Sequence, residues 1–321
     1  MKELNLWKFI NEKIKEEGNV ILFIVADSSN SSPGKQGFKM AITKTGEQYG
    51  TVGGGIMEAN LIKEVLNNFT NVKDNQIRLL QHDSNTSLEK SGLICGGTQT
   101  IIIKRITNKH SDLINEIIER FKKREKCLLF VNSMSLRVKQ YSPVTNKIVF
   151  NVHNVNDYEY FEIYGLTESA YIIGSGHVGL AVSRIMSILG FYVTIFDHRK
   201  DVFTFVNNKF ADEKIVCKYS EVGQYIPDGE MTFVIIVTPQ HTGDKAALKS
   251  IINKDVKYIG MMGSKKKIDT VFQNLEKEGI DNKLFKRVHT PIGLEIEAKT
   301  PEEIAISIAA EVIKIKNLSL I

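Results

Sequence analysis

Tyr171-Ile172-Ile173-Gly174-Ser175-Gly176-His177-Val178-Gly179 is the stretch on which the reading of this 321-residue chain turns. A short apolar run meets three glycines in GxGxxG spacing, and a helical pattern follows over residues 177–189. Each glycine answers a physical need. Gly174 permits the tight turn, Gly176 lets a phosphate approach the backbone, and Gly179 lets the new helix pack on its strand. The exposed N–H groups and the positive end of the helix dipole favour an anion there. A second apolar strand, residues 192–196, ends in Asp197, which stands 21 residues after Gly176, where an acid meets a ribose hydroxyl. These features predict the phosphate-binding turn of a Rossmann-type domain.

On the C-terminal side of the chain, strands alternate with helices. Strands are predicted at 171–173, 192–196, 214–217, 233–237 and 257–259, with helices at 177–189, 245–252, 267–278 and 301–316. That order predicts a doubly wound parallel sheet covered on both faces. The N-terminal side is irregular, with a helix ending at Gly18, a buried strand at 20–26 and a Ser-, Asn-, Gly- and Pro-rich loop up to Gly37. Short strands at 38–43 and 48–52 lead through Gly53-Gly54-Gly55 into a helix with Ile56, Ala59, Ile62, Val65 and Leu66 on its inner face. Further strands are predicted at 76–81 and 100–106, a helix at 113–123, three strand-like stretches between Cys127 and Phe150, and one strand at 160–164. The expected fold class is α/β: a mixed α/β domain over residues 1–165 and a Rossmann-like doubly wound domain over 166–321.

Bulk properties narrow the class. The net charge of +5 is dispersed, and its densest cluster, Lys265-Lys266-Lys267, is too short for a nucleic-acid arm. The three cysteines, Cys95, Cys127 and Cys217, show neither zinc-site nor disulfide spacing. No apolar run is long enough to span a bilayer, and acids interrupt the N-terminal stretch. A soluble cytoplasmic protein without nucleic-acid, membrane or metal partners is expected.

Several residues stand where chemistry is done. His177 lies in the first helical turn beside the expected phosphate, either contacting ligand or only starting the helix. Arg199 follows Asp197 by two positions, as a partner for a 2′-phosphate or as solvated surface. Thr238-Pro239-Gln240-His241-Thr242-Gly243-Asp244 and Gly260-Met261-Met262-Gly263-Ser264-Lys265 follow two strands, so both border the ligand crevice of an open α/β sheet. His241 and Asp244 are candidates to pair with each other or to contact a polar ring, and Gly263-Ser264 to bind a second anion or cap a helix. In the N-terminal domain, Gly53-Gly54-Gly55 repeats the strand–glycine–helix logic, with Glu58 in the first turn as a binding or capping residue. Cys95-Gly96-Gly97 places a thiol among backbone donors, which can favour a thiolate, but on chemistry alone a lone cysteine reads as buried and inert.

Taken together, these motifs resemble the XdhC/CoxI molybdenum-cofactor maturation proteins, accessory factors of xanthine dehydrogenase and related molybdenum hydroxylases. The resemblance rests on Ser31-Ser32-Pro33-Gly34, Gly37-Phe38-Lys39-Met40, Gly50-Thr51-Val52-Gly53-Gly54-Gly55-Ile56-Met57-Glu58 and Cys95-Gly96-Gly97. It continues through the GxGxxG turn, residues 238–244, Tyr258-Ile259-Gly260-Met261-Met262-Gly263-Ser264-Lys265, His289-Thr290-Pro291-Ile292-Gly293-Leu294 and Thr300-Pro301-Glu302-Glu303-Ile304-Ala305. The chain departs from many relatives at Ile56 and Ile94, where they carry cysteine, which argues against a two-thiol clamp beside Cys95.

The resemblance implies a cofactor chaperone that binds molybdopterin cofactor while its terminal sulfur is installed, then delivers it to the apo-hydroxylase. It implies as partners a molybdenum hydroxylase apoenzyme and a sulfur donor of the cysteine desulfurase type, and Cys95 as a contact to the cofactor. The expected site is a cleft between the domains capped by residues 31–37, and the expected assembly a homodimer. The alternatives are an NAD(P)-dependent oxidoreductase, with His177 and His241 as its acid–base candidates, and a regulatory nucleotide-sensing module.

Overall fold

The computed structural model describes residues 2–29, 31–72, 76–81, 97–123, 125–141, 148–154, 156–165 and 168–318. The chain divides into two compact units, Lys2–Leu166 and Thr167–Ile321.

In the first unit, β1 (Asn19–Ser28) is the long central strand of a five-stranded sheet. Its residues from Val20 to Ala26 are all buried, which is why they read as one apolar run and not as an alternation. Around it lie β2 (Lys39–Ile42), β3 (Gln48–Gly50), β4 (Gln76–Gln81) and β5 (Thr98–Thr107), in the order β3-β2-β1-β5-β4, every pair antiparallel. Helix α1 (Lys2–Glu17) packs on the sheet through the buried Trp7, Ile10 and Ile14 and stops at Gly18, which takes positive φ. Helix α3 (Ser111–Lys123) packs beside α1. A second antiparallel sheet has the order β7-β6-β9-β8, formed by β6 (Cys127–Asn132), β7 (Leu136–Gln140), β8 (Ile148–Asn154) and β9 (Asp157–Tyr164).

Helix α2 (Gly55–Asn67) differs in phase from the sequence expectation. Met57, Leu61 and Val65 are buried against β1, whereas Ile56 is 53% exposed and Ala59 faces out. Glu58 sets this phase: its carboxylate turns back onto the preceding loop, which rotates Ile56 outward.

In the second unit, six parallel strands take the order β12-β11-β10-β13-β14-β15. They are β10 (Ser169–Ile173), β11 (Tyr192–Asp197), β12 (Glu213–Val216), β13 (Gly229–Ile236), β14 (Val256–Met261) and β15 (Val288–His289). This is the strand order of dinucleotide-binding sheets, and the order reverses between β10 and β13. The two-residue pleat sorts the core. Ala170 and Ile172 face α4 (His177–Ile188) and α8 (Pro301–Leu318), while Tyr171 and Ile173 face α6 (His241–Ile251) and α7 (Lys265–Lys277). Helices therefore cover both sides, as the alternating pattern requires. A four-residue α5 (Phe203–Val206) follows β11. Two details differ from expectation: α6 begins at His241, before residue 245, and the short strand β15 has no counterpart in the sequence reading.

Candidate functional site

The turn after β10 lies at the point of strand-order reversal. Gly174 has φ 109°, and a Cβ there would stand 2.6 Å from the Val237 carbonyl oxygen. A Cβ on Gly179 would collide with the Gly174 carbonyl. Both glycines are therefore demanded by packing. Gly176 is different, because a Cβ there meets no atom within 4 Å. It is the N-cap of α4, offers no side chain to cap the helix, and no acid stands in the first turn. The first N–H groups of α4 thus meet no carboxylate from the helix's own first turn. The His177 side chain is exposed and makes no hydrogen bond or ion pair with the described residues.

Asp197 ends β11 and is fully buried. One of its oxygens accepts from Ser175 N at 3.0 Å, Ser175 Oγ at 2.6 Å and Arg199 Nη2 at 3.0 Å. The other accepts from Arg199 N at 3.1 Å and Nε at 2.9 Å. Burial pushes this carboxyl up, but the bonds from Arg199 and Ser175 outweigh it and hold the group well below the usual carboxylate range. Asp197 thus clamps the turn from inside, and Thr204 Oγ1 holds the Ser175 carbonyl from the other side. The sequence placed Asp197 against a ribose; in the fold its oxygens are already taken by Ser175 and Arg199.

The loops after β13 and β14 reach the same edge of the sheet. Asp244 is buried and accepts from Thr238 N at 3.2 Å and Thr238 Oγ1 at 2.6 Å, and its second oxygen pairs with Lys267. Burial leaves its carboxyl raised although these partners oppose the shift. His241, at the exposed start of α6, is not Asp244's partner, which corrects the expected pairing. Gly263 and exposed Ser264 lead into α7, whose first turn holds no acid and whose N-cap makes no side-chain bond. They line a cavity of about 670 Å³ with Pro291, Gly293, Glu295 and Ser307. Two distant motifs of the sequence, around Gly263 and around Ile292, meet in it.

In the first unit, three loops converge. A Cβ on Gly53 would lie 2.7 Å from Gly34 N, and one on Gly97 would lie 2.6 Å from Ser29 Oγ. The wholly buried Gln99 joins them by donating to the carbonyls of Gly34 at 3.1 Å and Val52 at 2.9 Å. Sequence reading missed Gln99, although its place two residues beyond Gly97 was a signal. Gly53, Gly54 and Gly55 all take positive φ. Glu58 Oε2 accepts from Thr51 Oγ1 at 2.6 Å, Val52 N at 2.8 Å and Gly54 N at 3.0 Å, so this loop's donors are satisfied by the chain's own carboxylate. Glu58→Ala is expected to destabilise this unit by about 2 kcal/mol, because it strands three donors, and Glu58→Gln by less. Denaturant unfolding checks it; an unchanged midpoint for the alanine variant would refute the capping account. Cys95 and Gly96 lie outside the described residues.

Among the described residues, Cys127 and Cys217 are free and buried, and burial pushes the Cys127 thiol up to about 11. No group of three or more His, Cys, Asp or Glu among those residues is placed to hold a metal ion, and no helix among them is long and apolar enough to cross a membrane.

The sheet order and the turn define the second unit as a Rossmann-fold domain whose α4 starts without a side-chain cap. Comparison with known proteins agrees. Residues 170–312 match the XdhC Rossmann domain, and residues 14–78 match the XdhC and CoxI family. The chain belongs to the XdhC family. It is 19% identical over 338 residues to a probable xanthine dehydrogenase subunit of Bacillus subtilis (strain 168), covering 98% of each chain. It is 27% identical over 164 residues to the uncharacterized protein YqeB of Escherichia coli (strain K12); that match takes in 49% of this chain and 29% of YqeB, less than a third of its length. A crystal structure from Bacillus halodurans, described as a xanthine dehydrogenase, superposes with TM-score 0.75 at 22% identity over 98% of this chain and 96% of that one, and so shares the fold.

Proposed function

We propose that the protein binds the molybdenum cofactor and delivers it to a xanthine dehydrogenase-type molybdenum hydroxylase, acting as a chaperone and not as a turnover enzyme. One observation carries this reading. At α2 the first-turn Glu58 takes the N–H groups of Val52 and of the N-cap Gly54, whereas at α4 Asp197 reaches back only to Ser175 N, and the helix opens at Gly176 with no acid in its first turn and no side-chain cap. A cradle that a Cβ would enter freely at Gly176, walled by the two crowded glycines, fits the terminal phosphate of a pterin cofactor. When bound, that group supplies the molybdenum centre on which the target hydroxylase depends.

In this reading Gly174, Gly176 and Gly179 shape the phosphate seat and His177 stands at its rim. Asp197 acts through Ser175, keeping the turn in register. Gly263 and Ser264, with the 670 Å³ cavity beside them, lie on the same sheet edge and accommodate further parts of the cofactor. Gly53, Gly54, Gly55, Glu58, Cys95, Gly96 and Gly97 are further candidate contacts to the cofactor. The partners are the apo-hydroxylase and a sulfur donor of the cysteine desulfurase type, and the working assembly is a homodimer.

The experiment is reconstitution. Cofactor-loaded protein is mixed with apo-hydroxylase, and hydroxylase activity is followed against free cofactor. The reading expects faster and fuller activation from the loaded protein. Cys95→Ser is expected to lower delivery several-fold while leaving the unfolding temperature in place; full delivery by that variant would return Cys95 to a structural role.

A further inference from the structure

The geometry points to a nucleotide site on the other flank of the turn: the cavity outside the ends of β11, β12 and β13 receives a nucleotide and selects a ribose bearing a 2′-phosphate over a free diol. The cavity measures about 420 Å³ and is lined by Arg199, Lys218, Tyr219, Gln240, Thr242 and Gly243, among others. It lies at the carboxyl edge of the sheet, beside the strand-order reversal, where open α/β sheets bind nucleosides.

The selectivity follows from where Asp197 spends its oxygens. A sheet of this type receives a ribose diol on the acid that ends its second strand. Here that acid is fully buried and already accepts five hydrogen bonds, from Ser175 and Arg199. A carboxylate offers about four lone-pair sites, so none is left for a diol. Arg199 covers it instead. Its Nε and Nη2 grip Asp197, while Nη1 makes neither of those bonds and the side chain is 39% exposed at the cavity wall. The surface met by a ribose is therefore a guanidinium edge in place of a carboxylate.

Three further features favour an anion. Exposed Lys218 lines the same wall. Helix α6, 11 residues long, starts at the cavity with no side-chain bond at its N-cap Gln240, and the one acid of its first turn, the buried Asp244, is already held by Thr238 and Lys267. Tyr219 is 7% exposed, and its buried hydroxyl stands beside Asp197 and Arg199 without a well-aligned hydrogen bond to the described residues. Its ring packs edge-on against His198 at 5.0 Å, and a Cβ on Gly243 would come within 3.0 Å of it, so only glycine keeps that floor open. A dianionic phosphate meets Arg199, Lys218 and the helix start together, whereas a neutral diol leaves their charge unanswered.

The test uses the full chain and the isomers 2′,5′-ADP and 5′-ADP, with NADP⁺ against NAD⁺, by titration calorimetry. The 2′-phosphorylated member of each pair is expected to bind at least about tenfold more tightly. Lys218→Glu, at an exposed position that leaves the Asp197 clamp alone, is expected to reduce that preference to about threefold or less, and Arg199→Ala to abolish it. Equal or tighter binding of 5′-ADP and NAD⁺, no measurable binding of either isomer, or a preference that survives both substitutions would each overturn the proposal. The selectivity is a property of this cavity and stands apart from the cofactor reading. No arm contains molybdenum cofactor, so either reading can fail alone.

Discussion

Gly176→Asp is expected to leave the Thr167–Ile321 unit folded and to abolish its hold on a phosphate-bearing ligand. The backbone at Gly176 has φ −63° and ψ −172°, which any residue adopts, and a side chain there enters open space. Aspartate is a favoured N-cap, so the start of α4 is kept or slightly stabilised, by a few tenths of a kcal/mol. The new carboxylate, however, takes the N–H groups that a phosphate needs and adds a like charge. Losing those charge-assisted bonds costs binding about 3 kcal/mol, or roughly a hundredfold. Gly179→Ala provides the contrast. Its Cβ runs into the Gly174 carbonyl, so the backbone itself must shift, and the expected result is a loss of fold stability of about 3 kcal/mol. Thermal unfolding alongside ligand titration separates the two. A Gly176→Asp protein that unfolds early, or a Gly179→Ala protein of normal stability, would contradict the division of labour between these glycines.

Asp197→Ala is expected to destabilise the same unit by about 3 kcal/mol at neutral pH. It strands the buried Ser175 N–H and hydroxyl and removes the partner that holds Arg199, each loss falling in the range of charge-assisted hydrogen bonds. The effect carries a pH signature. Burial raises this carboxyl, yet its hydrogen bonds bring it below its unfolded value of about 3.9. A depressed carboxyl stabilises the fold fully above the unfolded pKa and loses that contribution as pH falls through the folded one. The gap between wild type and variant should therefore be level from about pH 5 upward and shrink progressively below about pH 4. Urea unfolding at stepped pH measures it. A gap that persists unchanged in acid, or one under about 1 kcal/mol at neutral pH, would rule out Asp197 as the clamp of the turn.

Much of the second unit was legible because its signals are local and periodic. The apolar strand, the three glycines and the helix that follows lie within one short stretch, and alternation of strands and helices demands a parallel sheet. What escaped depends on pairings between distant side chains. Nothing in the spacing of Ser175, Asp197 and Arg199 says that they will satisfy one another and leave the ribose without its acid. Tyr219 and Lys218 were not singled out in the sequence because they follow a short, mostly exposed strand with little apolar pattern, although their place at a strand's carboxyl end was a signal. Helix α6 was read late because His241, Thr242 and Gly243 are poor helix formers, and the Asp244–Thr238 bonds, not propensity, fix its start. β15 is two residues long and owes its existence to pairing with β14. In the first unit, apolar periodicity on α2 suggested Ile56 as core, but Glu58 turned the helix. The convergence of Gly34, Gly53 and Gly97 around Gln99 joins segments far apart in the chain, and only the folded structure brings them together.

Retention of isolated molybdenum cofactor decides whether the turn after β10 seats the cofactor's phosphate. Wild type and Gly176→Asp are each incubated with cofactor and passed through gel filtration, and pterin and molybdenum are quantified in the protein peak. Cofactor is expected to elute with the wild type and to be nearly absent from the variant, with equal unfolding temperatures. Equal retention by both proteins, or none by the wild type, would contradict a phosphate seat at Gly176.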